Sequence, residues 1–419
     1  MGYTLAEKIL ARAGGVASVR PGDILWAEPD RVMCNDHNFP RCLQMMRKLG
    51  IDRIACPEKI GLTIDHRPYS DDVRVIQARR DMREEVVRQG VRHFYDMGRH
   101  GISHNIALDH GLVMPGTFAI ASDTRAPSLG CAGALSIALG AGLETAFITG
   151  KVWVRVPATL RVTLTGCMGP GVMSRDVGQW LASNIGMTRA DYRVIEFDGP
   201  AFGHLDMDAR HTLCNAMVDL GVKSAIVSPD AITAAYVTRT GGDPAIVLKS
   251  DADTTFEAHL SFDISSVGPQ VSLPPSAWNA HPVAEAAGEP IHQAFIGSCM
   301  GGKIEDLRAA AAVLEGRSVA PGVRLVVIPA THGVFEQASR EGLMSVFAAA
   351  DAYVAVGACG PCFGTIAPIC DGEVCISTST RNEPGRMGSA KARVLLASAA
   401  TVAASAVKGC VADPREFLS

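Results

Sequence analysis

The stretch Val323-Arg324-Leu325-Val326-Val327-Ile328 reads as a buried strand, and its neighbours on either side decide the architecture. Before it, Ile304-Glu305-Asp306-Leu307-Arg308 runs into an alanine-rich stretch stopped by Gly316, the pattern of a helix with a terminal glycine. After it, Ser339 to Ala350 reads as another helix, followed by a strand at Tyr353-Val354-Ala355-Val356. One more apolar run, Ala294-Phe295-Ile296, precedes the whole series. Strand, helix, strand, helix, strand predicts a parallel α/β layer architecture with helices on both faces.

The cysteines sit at the ends of those strands. Cys299 follows Ala294-Phe295-Ile296, and Cys359-Gly360-Pro361-Cys362 follows the strand at Tyr353. In open parallel sheets the carboxyl edge of the strands is where ligands bind. A Cys-x-x-Cys pair with one distant third cysteine suits an iron–sulfur cluster or a zinc ion, and three ligands leave one coordination position open to substrate. The chain has 12 cysteines, and free cysteine is also a common core residue, so buried packing is the competing reading of these three.

Composition bounds the rest. With 419 residues, 47% of them hydrophobic and 20% charged, the chain has ample core for two to four domains. A net charge of −4 and the lack of a basic stripe with interleaved aromatics argue against a nucleic-acid partner. The start, Thr4-Leu5-Ala6-Glu7-Lys8-Ile9-Leu10, is polar and helix-like rather than a secretory leader, which predicts a cytoplasmic protein whose cysteines are thiols and ligands. Leu129 to Gly150 carries Glu144 and Thr145, and Val394 to Val407 is too short to span a bilayer, so both are expected to be buried helices and no membrane association is expected. Boundaries near Gly150 and in the Pro-rich segment 268–290 divide the chain into expected domains 1–150, 151–285 and 286–419, the last carrying the three cysteines.

Other polar signals fall at strand ends. Asp65-His66 follows Ile60-Gly61-Leu62-Thr63-Ile64, and Asp123 follows Phe118-Ala119-Ile120-Ala121-Ser122, while His104 closes Gly101-Ile102-Ser103-His104. A histidine held by a carboxylate is suited to general acid work, because the carboxylate fixes the tautomer and raises imidazole basicity. Taken singly, each is also what a satisfied structural histidine looks like. Near the carboxyl end, Arg381 and Arg386 lie in the turn-rich Thr380-Arg381-Asn382-Glu383-Pro384-Gly385-Arg386. Arginine offers a fixed fork for carboxylate or phosphate, and with no Walker-type loop present, carboxylate is the better match. A solvated surface loop is the alternative.

The ordered series Asp65-His66, Gly-Ile-Ser-His104, Ser-Asp123, Cys214-Asn215, Ile-Gly-Ser-Cys299, Cys359-Gly-Pro-Cys362, Arg381-Asn382 and Gly385-Arg386 resembles the aconitase superfamily over essentially the whole chain. In length and start it is similar to the large subunits of the isopropylmalate dehydratase, homoaconitase and dimethylmalate dehydratase types. The resemblance implies three α/β/α layered domains around a central cluster site, without the mobile fourth domain of the family. It also implies a [4Fe-4S] hydro-lyase acting on a small hydroxy acid, in which Cys299, Cys359 and Cys362 hold three irons and the fourth is open to water and substrate. Asp65 and His66 would protonate the leaving hydroxyl, with His104, Asp123 and Asp219 around the water at the open iron. Asn35, Arg381 and Arg386 would bind substrate, and Asn215 and Asn382 would line the cluster.

This chain departs from the family pattern at the expected pocket. Ser122-Asp123-Thr124-Arg125-Ala126 stands where Ser-Asp-Ser-His-Thr is usual, so Thr124 keeps a hydroxyl and Arg125 replaces a histidine. Asp219 replaces a glutamate, Met300-Gly301 replaces Thr-Asn, and Glu383-Pro384 replaces a Phe-containing pair. If Arg125 points inward, it is expected to bind substrate and to favour an additional or displaced carboxylate over a branched apolar tail. The serine that takes the carbon-bound proton lies, in the family, on the mobile fourth domain, and about thirty residues after Arg386 are too few to be that domain. A small-subunit partner carrying it is therefore implied. The alternative from another class is a non-catalytic iron–sulfur sensor that keeps the cluster and has lost turnover, motivated by the altered Asp123-Thr124-Arg125 segment.

Overall fold

The computed structural model describes residues 2–140, 142–243 and 248–418. Its main-chain packing forms two compact units, one made of residues 1–97, 103–165 and 187–262, the other of 98–102, 166–186 and 263–419. The expected boundaries at 150 and 285 each fall within a unit.

The first unit opens with the helix Leu5–Gly14, started by a reciprocal cap between Thr4 and Glu7 and stopped by Gly15 in the left-handed conformation. Its first large sheet has five strands, all parallel: His93–Tyr95, Ile60–Thr63, Arg31–Asn35, Phe118–Ala121 and Leu135–Ala138 in spatial order. Ile60–Thr63 and Phe118–Ala121 are buried at every position, as a sheet covered on both faces requires. A second sheet holds Ser224–Val227, Val194–Asp198, Thr159–Thr165 and Ala258–Asp263. One core serves both, since Val194 and Ile226 pack with Leu62, Phe118 and Ile137 of the first sheet. The short 3-10 helix Ala126–Ala132 is seated so closely on the strand Ser224–Val227 that a Cβ on Gly130 would lie 1.7 Å from the Ala225 carbonyl oxygen.

The second unit is built on a seven-stranded sheet. Tyr353–Val354, Arg324–Val327, Gln293–Ile296, Val374–Ser377 and Arg393–Ala397 run parallel, and the antiparallel strands Gln270–Ser272 and Ala280–Pro282 form one edge. The helices Ile304–Leu314 and Ala399–Lys408 cover it, with Leu307, Ala310, Val402 and Ala403 against Ile296, Leu325 and Leu395.

Three expectations are corrected. The segment Ser339 to Ala350 is not one helix but the end of His332–Arg340 and all of Leu343–Ala349, separated at Gly342, whose φ of +79° no continuous helix accepts. Leu129 to Gly150 is a 3-10 turn, the strand Leu135–Ala138 and the helix Leu143–Thr149, with Ala141 outside the described residues. Gly133 and Gly142, both at positive φ, punctuate it. Val394 to Val407 is likewise a strand followed by a helix, turned at Ser398. No helix among the described residues is long and apolar enough to cross a membrane.

Candidate functional site

Three of the five parallel strands in the first unit deliver a polar residue of the expected site at or after their carboxyl ends. Asn35 ends its strand, fully buried, and its Oδ1 accepts from the backbone N–H of Asn38 at 3.0 Å, opening the next helix. Asp65 and His66 follow Ile60–Thr63 in a turn fixed by Asp36, whose carboxylate accepts the backbone N–H groups of Asp65 and His66 at 3.1 Å and of Arg67 at 3.3 Å. Asp123 follows Phe118–Ala121. Asp36 is a part of the site that sequence reading missed, although its position immediately after Asn35 at a strand end was a usable signal.

Asp65 is fully buried and holds two groups at once. One carboxylate oxygen pairs with Nδ1 of His66, and the other accepts the N–H of Ser103 at 3.1 Å, at the start of the helix Ser103–Asp109 that carries His104. The pairing calls for a proton on His66 Nδ1, from which Asn35 Nδ2 lies 3.2 Å away. Burial alone would lower the His66 pKa, but the charge and hydrogen bond of Asp65, helped by Asp123 and Asp36, outweigh it and raise it to about 9. Burial in turn raises the Asp65 carboxyl, His66 offsetting part of that rise.

His104 is treated in the opposite way. It is 1% exposed, neither ring nitrogen has a hydrogen-bond partner among the described residues, and its ring stacks on His211 with centroids 5.7 Å apart. Burial pulls its pKa down to about 4; Asp123 offsets part of the shift, and the Arg125 and His66 charges add to it. One histidine is therefore charged and the other neutral at pH 7, set by environment alone. Burial pushes the Asp123 carboxyl up, but His104, His66 and the Arg125 N–H at 2.7 Å together hold it below its ordinary value. Thr124 is exposed.

The helix Met207–Ala216 supplies His211 and Asn215, four residues apart and so on one face. His211 was not singled out from the sequence, where the spacing to Asn215 was its only signal. Asp219 follows in the 3-10 turn Met217–Leu220. Arg125 is 3% exposed, and its guanidinium is directed at Asp219: Nη1 and Nη2 each lie 2.8 Å from a separate carboxylate oxygen, and Nη1 lies 3.3 Å from the Asn215 carbonyl. The inward charge expected of Arg125 is met by the protein itself.

In the second unit, Cys299 lies in the one-turn helix Ser298–Gly301 directly after the strand Gln293–Ile296. Cys359 and Cys362 flank Gly360-Pro361 in a tight turn closed by the Cys362 N–H on the Cys359 carbonyl at 3.1 Å. Both turns press on Ile328: a Cβ on Gly360 would lie 2.5 Å from its Cδ1, and one on Gly297 would lie 2.8 Å from its carbonyl oxygen. None of the three is in a disulfide among the described residues, and Cys299 and Cys362 are buried. Thiols on two glycine-made turns over one residue suit a soft-metal or iron–sulfur donor set.

The segment Thr378 to Asn382 ties these turns to the arginine loop. Thr378 Oγ1 accepts the Gly297 N–H at 2.8 Å and lies 2.8 Å from the Gly297 carbonyl, Ser298 Oγ donates to the Thr378 carbonyl at 3.0 Å, and Thr380 Oγ1 lies 3.7 Å from Cys362 Sγ. Arg175, buried and absent from the sequence reading, donates to the carbonyls of Thr378 and Ser379 at 2.7 and 2.6 Å. Asn382 is buried with Nδ2 near the Ser272 carbonyl at 3.4 Å. Arg381 is partly exposed, 4.0 Å from Glu383, and Arg386 lies over the Phe363 ring at 5.3 Å.

The aconitase family model (aconitate hydratase) matches residues 7–290 and 284–409. The 3-isopropylmalate dehydratase large subunit 1 of Methanopyrus kandleri is 40% identical over 420 residues, covering 100% of both chains. The 3-isopropylmalate dehydratase large subunit of Aquifex aeolicus is 40% identical over 425 residues, 100% of this chain and 98% of that one. Among solved structures, the holo form of Thermococcus kodakaraensis aconitase X aligns over 90% of this chain and 88% of its own, with 13% identity and a TM-score of 0.49. A family model that spans nearly all of the sequence, and relatives matched from end to end, lead to one assignment: the chain belongs to the aconitase family.

Proposed function

We propose that the chain is the large subunit of a [4Fe-4S] hydro-lyase that adds water to, or removes it from, a small hydroxy carboxylic acid of the 3-isopropylmalate kind. The observation that carries this reading is the charged, carboxylate-held His66 beside the buried neutral His104, in a chain whose relatives are 3-isopropylmalate dehydratase large subunits. Cys299, Cys359 and Cys362 would hold the cluster, which when bound supplies a Lewis acid at its open position. His66 gives its Nε2 proton to the departing hydroxyl, and Asp65 keeps that nitrogen charged between turnovers. His104 and Asp123 orient the water, with Asn35, Asn215 and Asn382 lining the site and Thr124 at its rim. Arg381 and Arg386 supply the forks that bind the substrate carboxylates.

The base that takes the carbon-bound proton comes from a separate small subunit, for which the "large subunit" names of the relatives are the support. The segments 1–150, 151–285 and 286–419 are the three α/β/α domains of this reading. The reading is tested by anaerobic reconstitution with iron and sulfide, addition of a small subunit of the isopropylmalate type, and assay against a panel of hydroxy and unsaturated acids. Turnover that needs both chains and an intact cluster is the expected result. A cluster-replete complex that turns over no acid in the panel would favour the sensor reading instead.

A further inference from the structure

We propose that the two departures at Arg125 and Asp219 are one exchange: together they form a closed ion pair that positions the site and reads no substrate charge. The proposal rests on the hydro-lyase reading above and deepens it. Arg125 stands where the resemblance places a histidine, and Asp219 where it places a glutamate, so a longer cation is matched by a shorter anion. The pair is bidentate. Both terminal nitrogens of Arg125 are bound to Asp219, one to each oxygen at 2.8 Å, and the Asn215 carbonyl takes a further contact at 3.3 Å. A substrate carboxylate could reach that fork only by displacing Asp219 and leaving its charge without its partner in a largely buried place.

Both ends of the pair are held by main chain. The Arg125 N–H is tied to Asp123, the 3-10 helix that begins at Ala126 is seated on Ala225 through Gly130, and Asp219 lies in the turn just before that same strand. Neither partner has a hinge by which to swing towards a ligand. The pair is therefore neutral as a unit, and the reading above leaves the substrate carboxylates to Arg381 and Arg386. An additional carboxylate on the substrate gains nothing from Arg125, contrary to what the sequence suggests. Arg125 is a positioning residue, which fixes Asp219, Asn215 and, through Asp123, the surroundings of His104.

The test is a double-mutant cycle on the full chain with Arg125→His, Asp219→Glu and the double variant, read first as the melting temperature of the cluster-free chain. Each single variant is expected to lose about 5 °C or more and the double to recover to within about 2 °C of the parent. In the reconstituted two-subunit enzyme each single is expected to lower kcat about tenfold with KM changed less than about threefold, and the double to restore kcat. Arg125→Lys, which keeps the charge and loses the fork, should behave as the singles do. Losses in the double equal to the sum of the singles would overturn the proposal, as would an Arg125→His enzyme with raised KM and unchanged kcat. If a single variant does not fold, the apolar pair Arg125→Met with Asp219→Leu decides: folding of that double supports a closed pair, and its failure to fold overturns it. The melting data decide the pairing even if no acid is turned over, so failure of the hydro-lyase reading shows separately, as inactivity of the parent complex.

Discussion

Replacing Asp65 by asparagine removes the charge that keeps His66 protonated while leaving an oxygen to accept the Ser103 N–H. His66 lies near 9 beside Asp65, so at pH 7.5 it is about 97% charged, whereas at an ordinary value near 6.5 it would be about 10% charged. If His66 is the general acid, protonation alone lowers kcat about tenfold at that pH, and loss of ring orientation lowers it further. The same 2.5-unit difference corresponds to about 3 kcal/mol of favourable interaction, from which the burial cost of Asp65 itself subtracts. Because the folded value is raised, this stabilisation is fully present below pH 6.5 or so and is lost as pH rises through about 9. The assay is the pH dependence of kcat for parent and Asp65→Asn, with ¹⁵N NMR of His66 in the cluster-free chain. The alkaline limb is expected to move from near pH 9 to about 6.5 or below, so that the variant regains activity on acidification. An alkaline limb that stays near pH 9 in the variant would refute the reasoning.

Three further outcomes are expected. His104, held near 4, refuses a proton that the unfolded chain accepts below about 6.5, so acidification through that window should cost about 3 kcal/mol of stability; His104→Gln should remove this part of the difference between urea midpoints at pH 7 and pH 4.5. Alanine at Cys299, Cys359 or Cys362 should abolish stoichiometric iron and sulfide after reconstitution, while alanine at Cys375, a strand thiol that burial pushes up to about 12, should leave both unchanged. Arg175→Met strips two buried carbonyls of their charged donor and should cost about 4 kcal/mol in chemical denaturation, with faster proteolysis within 381–386.

What the sequence revealed and what it hid divide along a physical line. Asp65, His66 and Asp123 were legible because an apolar strand followed at once by ionisable residues is a local pattern, and parallel sheets put ligands at that edge. The Cys359-Gly-Pro-Cys362 turn was legible for the same reason. The ion pair of Arg125 with Asp219 spans 94 residues, and Arg175 reaches Thr378 across 203; no local period records such contacts. His211 was hidden because its meaning comes from the His104 ring it stacks on, brought from another element. Two of the three misread helices failed at glycines, whose positive φ values break a pattern that composition alone continues, and the third at Ser398, where a strand passes into a helix.

The single core beneath the first two sheets has a consequence for how the chain must be made. Translation releases the five-stranded sheet well before Val194–Asp198 and Ser224–Val227, the strands whose Val194 and Ile226 complete its packing. Until about residue 227 has left the ribosome, the Gly130 turn has no strand to sit on and the nascent sheet keeps an open apolar flank. Truncations ending between the first sheet and that strand would hold the chain in this unsealed state, so N-terminal fragments should begin to stay in solution only once they extend past Val227.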